Sequence, residues 1–259
     1  MKAARSTGRR RICTGRKSGM RTTADRSDGA VAVIPHETIA GVPELDNQRG
    51  YWDTSGAAKT FTHPIDFTWL SGLAASARIV DYGCGYGRVT GLARQQGFRD
   101  VEGVDTSPSL IERARCSHPE LGFRVLLDPP ALPYPDGSVD AVLLIAVLTC
   151  VPSDAGQQQL VGELARVLRP GGLLYVSDLL LQADRRNVAR YERDAAAYGT
   201  YGVFETSDGA VCRHHSAEWL HDLLRDSFAI AATREIAVQT MNANPANALQ
   251  LLAKRKAEN

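Results

Sequence analysis

From Ala77 onward, short apolar runs alternate with amphipathic stretches of helical period. The runs ARIVDY (77–82), VEGVD (101–105), FRVLL (123–127), VDAVLLIA (139–146) and GLLYVSDLL (172–180) have strand length and are bounded by turn residues. Helices are expected between them, beginning near Gly87, Ser107 and Ser153. Ser107 followed by Pro108, and Ser153 followed by Asp154, read as helix N-caps. Arg169-Pro170-Gly171-Gly172 reads as a helix stop and a turn into the fifth strand. This alternation predicts a parallel sheet covered by helices.

Two segments break the pattern. Residues 30–76 precede the first strand and contain RGYWDTSGAAKTFTHPIDFTWL. Residues 182–215 follow the fifth strand as a polar helix (Gln182–Ala197) and a hairpin turning around Ser207-Asp208-Gly209. Insertions at these places in α/β folds commonly build a lid over the ligand. From Ser216 a helix leads into apolar strands near Phe228–Val238 and Ala248–Lys254, whose short connection predicts an antiparallel pair closing the sheet. The division expected is a tail (1–29), an N-terminal lid (30–76), a sheet core (77–181), a second lid (182–215) and a C-terminal helix and strand pair (216–259).

Composition narrows the class. The chain has 259 residues, 44% hydrophobic and 23% charged, which suits one large α/β domain. No apolar run approaches the roughly 18 residues of a membrane span. The net charge of +1 conceals an asymmetry: residues 1–29 hold nine Lys/Arg against two acids, +7, which leaves −6 on the remainder. An acidic body disfavours broad binding of a phosphate backbone. The basic head has almost no large apolar residues, so it is expected to be disordered, and it lacks the apolar region of a signal peptide. It reads as a dispensable tail ahead of a nucleic-acid arm or a transit peptide. Five scattered cysteines with no C-x-x-C pair indicate neither a disulfide framework nor a zinc site, and a reducing cytoplasm fits.

The first strand ends in VDYGCGYGR. Its G-x-G-x-G spacing departs from the dinucleotide fingerprint, which would place a third glycine where Arg88 stands, and no G-K-[ST] of a P-loop follows. Asp105 closes the next strand, where a carboxylate can accept from both hydroxyls of a ribose. VDYGCGYGR, GVDTSPSLIERAR, LDPPALPYPDGSVDAV and LARVLRPGGLLYVSD, in that order over residues 77–180, resemble the successive motifs of the class I S-adenosylmethionine-dependent methyltransferases, most closely the small-molecule branch. The resemblance implies a Rossmann-like, doubly wound, seven-stranded sheet with an antiparallel last strand. S-adenosylmethionine is the cofactor it implies. Carried over residue by residue, Gly83, Cys84 and Gly85 bring backbone groups to the methionine moiety and ribose, and Asp81 fixes that loop. Asp105 takes the ribose hydroxyls with Thr106 beside the adenine, Asp128 reads the adenine amine, and Leu144 or Ile145 sits by the sulfonium. Cys84 fits as a small residue in a backbone-binding loop and carries no mark of a nucleophile.

Methyl transfer from a sulfonium needs alignment and exclusion of water, so the absence of an obvious base does not count against it. Candidates for substrate binding are Tyr51, Trp52 and Phe61 before the first strand and Tyr191 in the polar helix. Candidates for catalysis are His63, ranked first, and His214 or His215; adjacent residues on a strand face opposite ways, so at most one of that pair faces a pocket. No catalytic metal is expected, since no carboxylates cluster after the fourth strand. Transfer to a small-molecule acceptor is the leading expectation. An RNA or protein methyltransferase docking through the basic head, or a cofactor-binding module without transfer, are the alternatives; a membrane partner is not expected, and nucleic acid is disfavoured by the acidic body.

Overall fold

The computed structural model describes residues 44–257. The basic head and residues 30–43 of the N-terminal lid lie outside that range. Two short helices, α1 (Glu44–Asn47) and α2 (Arg49–Asp53), and a 3-10 turn at Phe67–Leu70 come first. The alternating core follows: β1 (Arg78–Tyr82), α3 (Arg88–Gln95), β2 (Asp100–Asp105), α4 (Pro108–Ser117), β3 (Gly122–Val125), β4 (Val139–Ile145), α5 (Asp154–Val167) and β5 (Leu168–Leu179). Then come α6 (Arg185–Tyr198), the hairpin β6 (Val203–Glu205) and β7 (Val211–Arg213), α7 (Ala217–Arg225), β8 (Phe228–Gln239) and β9 (Pro245–Arg255).

Seven strands form one sheet in the order β3-β2-β1-β4-β5-β9-β8. Pairing is parallel from β3 through β5, and β9 runs antiparallel to both neighbours. The sheet is therefore Rossmann-like with an antiparallel last strand, as the motif order implies. The strands read as unbroken apolar runs because both faces are covered. Val80, Val142, Leu144, Leu174 and Val176 point to one face and pack with Leu160 and Leu164 of α5 and Leu220 and Leu224 of α7. Ile79, Ala141, Leu143 and Tyr175 point to the other, against Val89 and Ala93 of α3 and Leu70 of the 3-10 turn.

The local signals act where the sequence puts them. Ser107 Oγ accepts from the Leu110 N–H (3.1 Å) and Ser153 Oγ from the Gly156 N–H (2.9 Å), satisfying donors that the first helical turn leaves open. Pairing of β4 with β5 jumps from Val139↔Leu168 to Ala141↔Leu173, and the Arg169–Gly172 turn fills the gap. The polar helix starts later than its pattern predicts, at Arg185, because Asp184 caps it through the Asn187 N–H (3.2 Å). No helix among the described residues is long and apolar enough to cross a membrane.

Candidate active site

A cleft opens at the carboxyl ends of β1, β2 and β4, where parallel strands of this order leave room for a ligand. Its floor is the turn after β1. The Gly83 and Cys84 N–H groups donate to the Val104 carbonyl (2.8 and 3.0 Å), which folds the loop back over β2. Gly83 and Gly85 have φ of +70° and +55°, a region costly for any residue with a Cβ. Space closes these positions as well. A Cβ on Gly83 would lie 2.6 Å from Val147 Cγ2, and one on Gly85 would lie 2.9 Å from the Phe61 ring.

Asp105 holds this floor. One carboxylate oxygen accepts the Gly85 N–H and the other the Ser107 N–H, both at 2.9 Å. Burial pushes its carboxyl upward against the pull of those bonds. Asp81 is also buried and accepts from Thr90 Oγ1 at 2.6 Å; burial raises its pKa to about 7, with the Arg88 guanidinium acting in the opposite direction. Cys84 is buried, and burial drives its thiol well above the ordinary value, so no thiolate is available there.

The segment before β1 folds over the floor. Asp53 Oδ1 accepts from Ser107 Oγ (3.0 Å) and from the Ser109 N–H (2.8 Å), tying α2 to the start of α4. Those bonds to Ser109 hold its carboxyl below the ordinary range. The Phe61 ring stacks on Tyr86 (5.5 Å, 16°), with Trp52 edge-on to Phe61 at 6.3 Å. Trp52 and Phe61 line the cleft. Tyr51 stands outside the lining; its hydroxyl donates to Asp208 at 3.0 Å and clamps α2 to the hairpin.

The histidines divide by face. His63 lines the cleft, with Nε2 2.6 Å from Ser177 Oγ, and burial lowers its pKa to about 4. His214 also lines it, with Nδ1 2.6 Å from the Tyr191 hydroxyl; burial, reinforced by the Arg190 guanidinium, takes its pKa down to about 3. His215 points the other way into the fold, 2.8 Å from Gln157 Nε2 and 3.2 Å from the Leu179 carbonyl, so it is corrected to a core residue. Tyr191 is likewise corrected: it is fully buried and positions His214 without lining the cleft.

Two cofactor expectations also shift. Leu144 is fully buried among the aliphatic side chains on the α5 face, while Ile145, one residue on, lines the cleft; strand alternation decides between them. Asp128 is exposed and outside the lining, where Leu126 and Pro129 stand instead, because the chain leaves β3 at Val125 and turns outward. Thr106 lines the cleft beside Asp105. Residues the sequence reading passed over complete the walls: Arg88, Val147, Arg186 and Arg190, and Gln239–Asn242 with Asn244 of the β8–β9 turn. Arg88 ends the quoted VDYGCGYGR motif, and Val147 directly follows the VDAVLLIA run. The arginines lie four apart on α6, a spacing that places them on one helix face.

A family model described as a methyltransferase domain matches residues 80–176. The 27-O-demethylrifamycin SV methyltransferase of Amycolatopsis mediterranei is 30% identical over 201 residues, 71% of this chain and 73% of that protein. The 2-methyl-6-phytyl-1,4-hydroquinone methyltransferase of Synechocystis is 33% identical over 148 residues, 53% of this chain and 45% of that one. Among solved structures, a S-adenosylmethionine-dependent methyltransferase of Methanosarcina mazei superposes with a TM-score of 0.70 at 23% identity, covering 75% of this chain and 99% of that one. Motif order, sheet topology and these relatives together make the chain a member of the class I S-adenosylmethionine-dependent methyltransferases.

Proposed function

We propose that the cleft transfers a methyl group to a small-molecule acceptor by in-line displacement. In this reading the glycine turn and Asp105 hold the cofactor, and the side formed by α6, the hairpin and the β8–β9 turn takes the acceptor. One observation carries it: a turn closed to any Cβ and a buried carboxylate line the same cleft as the lid side chains. The fit to the cofactor rests on the same groups. Each Asp105 oxygen accepts one backbone N–H, and a carboxylate oxygen has capacity for a second donor, so two ribose hydroxyls can be taken without opening the turn. Leu126, Pro129 and Ile145 supply apolar walls that suit a purine and a thioether.

Bound there, S-adenosylmethionine supplies an electrophilic methyl on a positively charged sulfur. The chain's own residues orient the acceptor and exclude water, and alignment of that kind can supply roughly 7–11 kcal/mol of a barrier. Trp52 and Phe61 close the roof over the turn. Neither His63 nor His214 suits the role of general base, since burial leaves their pKa values near about 4 and about 3, and a base works best near the operating pH. His63 and His214 instead shape the wall through Ser177 and Tyr191. The reading therefore favours an acceptor that is nucleophilic on arrival.

The rifamycin and hydroquinone relatives are named for small-molecule acceptors, which supports the same class here. The test is release of S-adenosylhomocysteine from S-adenosylmethionine across a panel of phenols, thiols, enols and amines. Acceptor-dependent release above the background rate supports the proposal. No release with any of them, from protein that binds S-adenosylhomocysteine, would overturn it.

A further inference from the structure

The acceptor side of the cleft carries two guanidinium groups, exposed Arg186 and half-buried Arg190, that feel the charges of Asp184 and Asp194 but form no ion pair with them. Arg186 and Arg190 lie one turn apart on α6, and both line the cleft. Among the described residues, neither has a carboxylate within ion-pair distance. Of the nearby acids, Asp184 caps the helix through the Asn187 N–H, Asp194 pairs with Arg193 at 2.6 Å, and Glu192 makes no ion pair with either arginine. The other cations of this region are committed too. Lys59 pairs with Asp208 (2.5 Å), and Arg88 donates one terminal N–H to the His63 carbonyl while its Nε, like that of Arg190, is buried without a partner.

Arg190 is held in place. Its guanidinium lies over the Phe204 ring, 3.4 Å from the centroid, and Phe204 is buried and edge-on to His214 at 5.0 Å. Its Nε is buried with no partner, a donor that ordinarily finds an acceptor. Local physics opposes the arrangement. Like charges four apart on a helix repel, and although the Asp184 cap offsets the helix dipole at Arg186, nothing on α6 offsets the repulsion at Arg190 within ion-pair distance. A local rule broken at the wall of a ligand cleft points to a ligand that relieves it.

We infer that the acceptor carries an oxyanion, a carboxylate or a phosphate, seated against the Arg186 and Arg190 guanidinium groups. A planar fork of donors suits either group, and the ring beneath Arg190 fixes the fork's direction. The inference rests on the placement of the acceptor proposed above. It makes Arg186 and Arg190 the residues that choose the acceptor and leaves the cofactor to the glycine turn and Asp105.

The test uses calorimetric titration of the full chain, with and without saturating S-adenosylhomocysteine. The probes are matched acid and amide pairs (4-hydroxybenzoate and 4-hydroxybenzamide, 3-phenylpropanoate and its amide) together with phenyl phosphate. At least one anion is expected to bind about tenfold or more tighter than its neutral partner, the size expected of one charge-assisted contact. Arg190→Gln and Arg186→Gln should each erase most of that preference, Arg190→Lys should keep part of it, and S-adenosylhomocysteine should bind all three variants as it binds the parent. Which anion class wins separates carboxylate from phosphate. Anions no tighter than their amides, or a preference that survives both glutamine variants, would overturn the inference. So would a loss of S-adenosylhomocysteine affinity in the variants, which would give the arginines to the cofactor. Failure of the parent to bind S-adenosylhomocysteine, with the anion preference intact, would count against the cofactor placement alone.

Discussion

Replacing Asp105 with alanine separates what this side chain does for the fold from what it does for the cofactor. In the folded chain its carboxylate accepts two backbone N–H groups, from Gly85 and Ser107, each at 2.9 Å. Hydrogen bonds to a charged group are worth about 1.5–3 kcal/mol apiece. Their loss is offset by relief of burying the carboxylate, the same burial that raises its pKa. The net loss of stability should be about 1–3 kcal/mol, a fall in Tm of roughly 3–10 °C for a chain of this size. On the proposed placement cofactor binding has no such offset, since the two hydroxyl bonds would form only in the complex. Losing both should cost roughly 3–6 kcal/mol, a weakening of about two to four powers of ten. Titration of S-adenosylhomocysteine into parent and variant, beside a thermal melt of each, reads both quantities. Asp105→Asn, which keeps one carbonyl acceptor, should fall between them. A folded Asp105→Ala variant that binds within about fivefold of the parent would refute the assignment of Asp105 to the ribose.

Three further outcomes follow from the geometry. Gly83→Ala puts a Cβ at φ +70° and 2.6 Å from Val147 Cγ2, so S-adenosylhomocysteine affinity should fall about tenfold or more, and Val147→Ala in the same chain should restore part of it; normal binding by Gly83→Ala would show that the turn can move aside. His63, His214 and His215 have folded pKa values below the unfolded 6.5, so their neutral rings support the fold above pH 6.5, and that support is lost as pH falls toward about 4 and about 3. Their ring resonances should stay unshifted from pH 8 to pH 5.5, and a midpoint above 5.5 for His63 or His214 would revive a base role. Burial raises Asp81 to about 7 beside Thr90, Arg88 and Asp105, which favours its protonated form at pH 6; the proposed placement brings the cofactor's amino group toward Asp81, and that ammonium favours its ionised form. Binding of S-adenosylhomocysteine at pH 6 should therefore release up to about one proton, measured from the heat in buffers of different ionisation enthalpy, and no release would detach Asp81 from the cofactor.

The sheet and the glycine turn after β1 were readable because local rules specify them. Apolar runs, capping serines and a glycine turn act within a few residues of themselves, and Ser107, Ser153 and Gly83 do in the fold what their neighbours in sequence predict. The cleft walls were less readable because side-chain direction decides them. Leu144 and Ile145 differ by one position on β4, and so do His214 and His215 at the end of β7; sequence narrows each pair without choosing within it. Tyr51 and Tyr191 look like substrate aromatics in isolation. Their hydroxyls are drawn instead to Asp208 and His214, partners distant in sequence. The β8–β9 turn reads as a mere connection, yet the sheet order carries it to the cleft through Thr240 and Asn242.

These two kinds of legibility correspond to two kinds of work. The side proposed for the cofactor is built from backbone groups and two buried carboxylates, which leaves little freedom in what it accepts. The side proposed for the acceptor is assembled from α2 and the segment after it, α6, the hairpin and the β8–β9 turn, joined by bonds such as Tyr51 to Asp208 and Lys59 to Asn242 (2.6 Å). Substitution on any one of those segments alters the pocket without touching the sheet. Fold kinship under 25% identity, as with the Methanosarcina structure, therefore speaks for the fold alone. On the proposed placement, Arg186, Arg190, Phe204 and the turn at Thr240–Asn244 distinguish this chain's acceptor, and a change of acceptor between relatives should appear first at those positions.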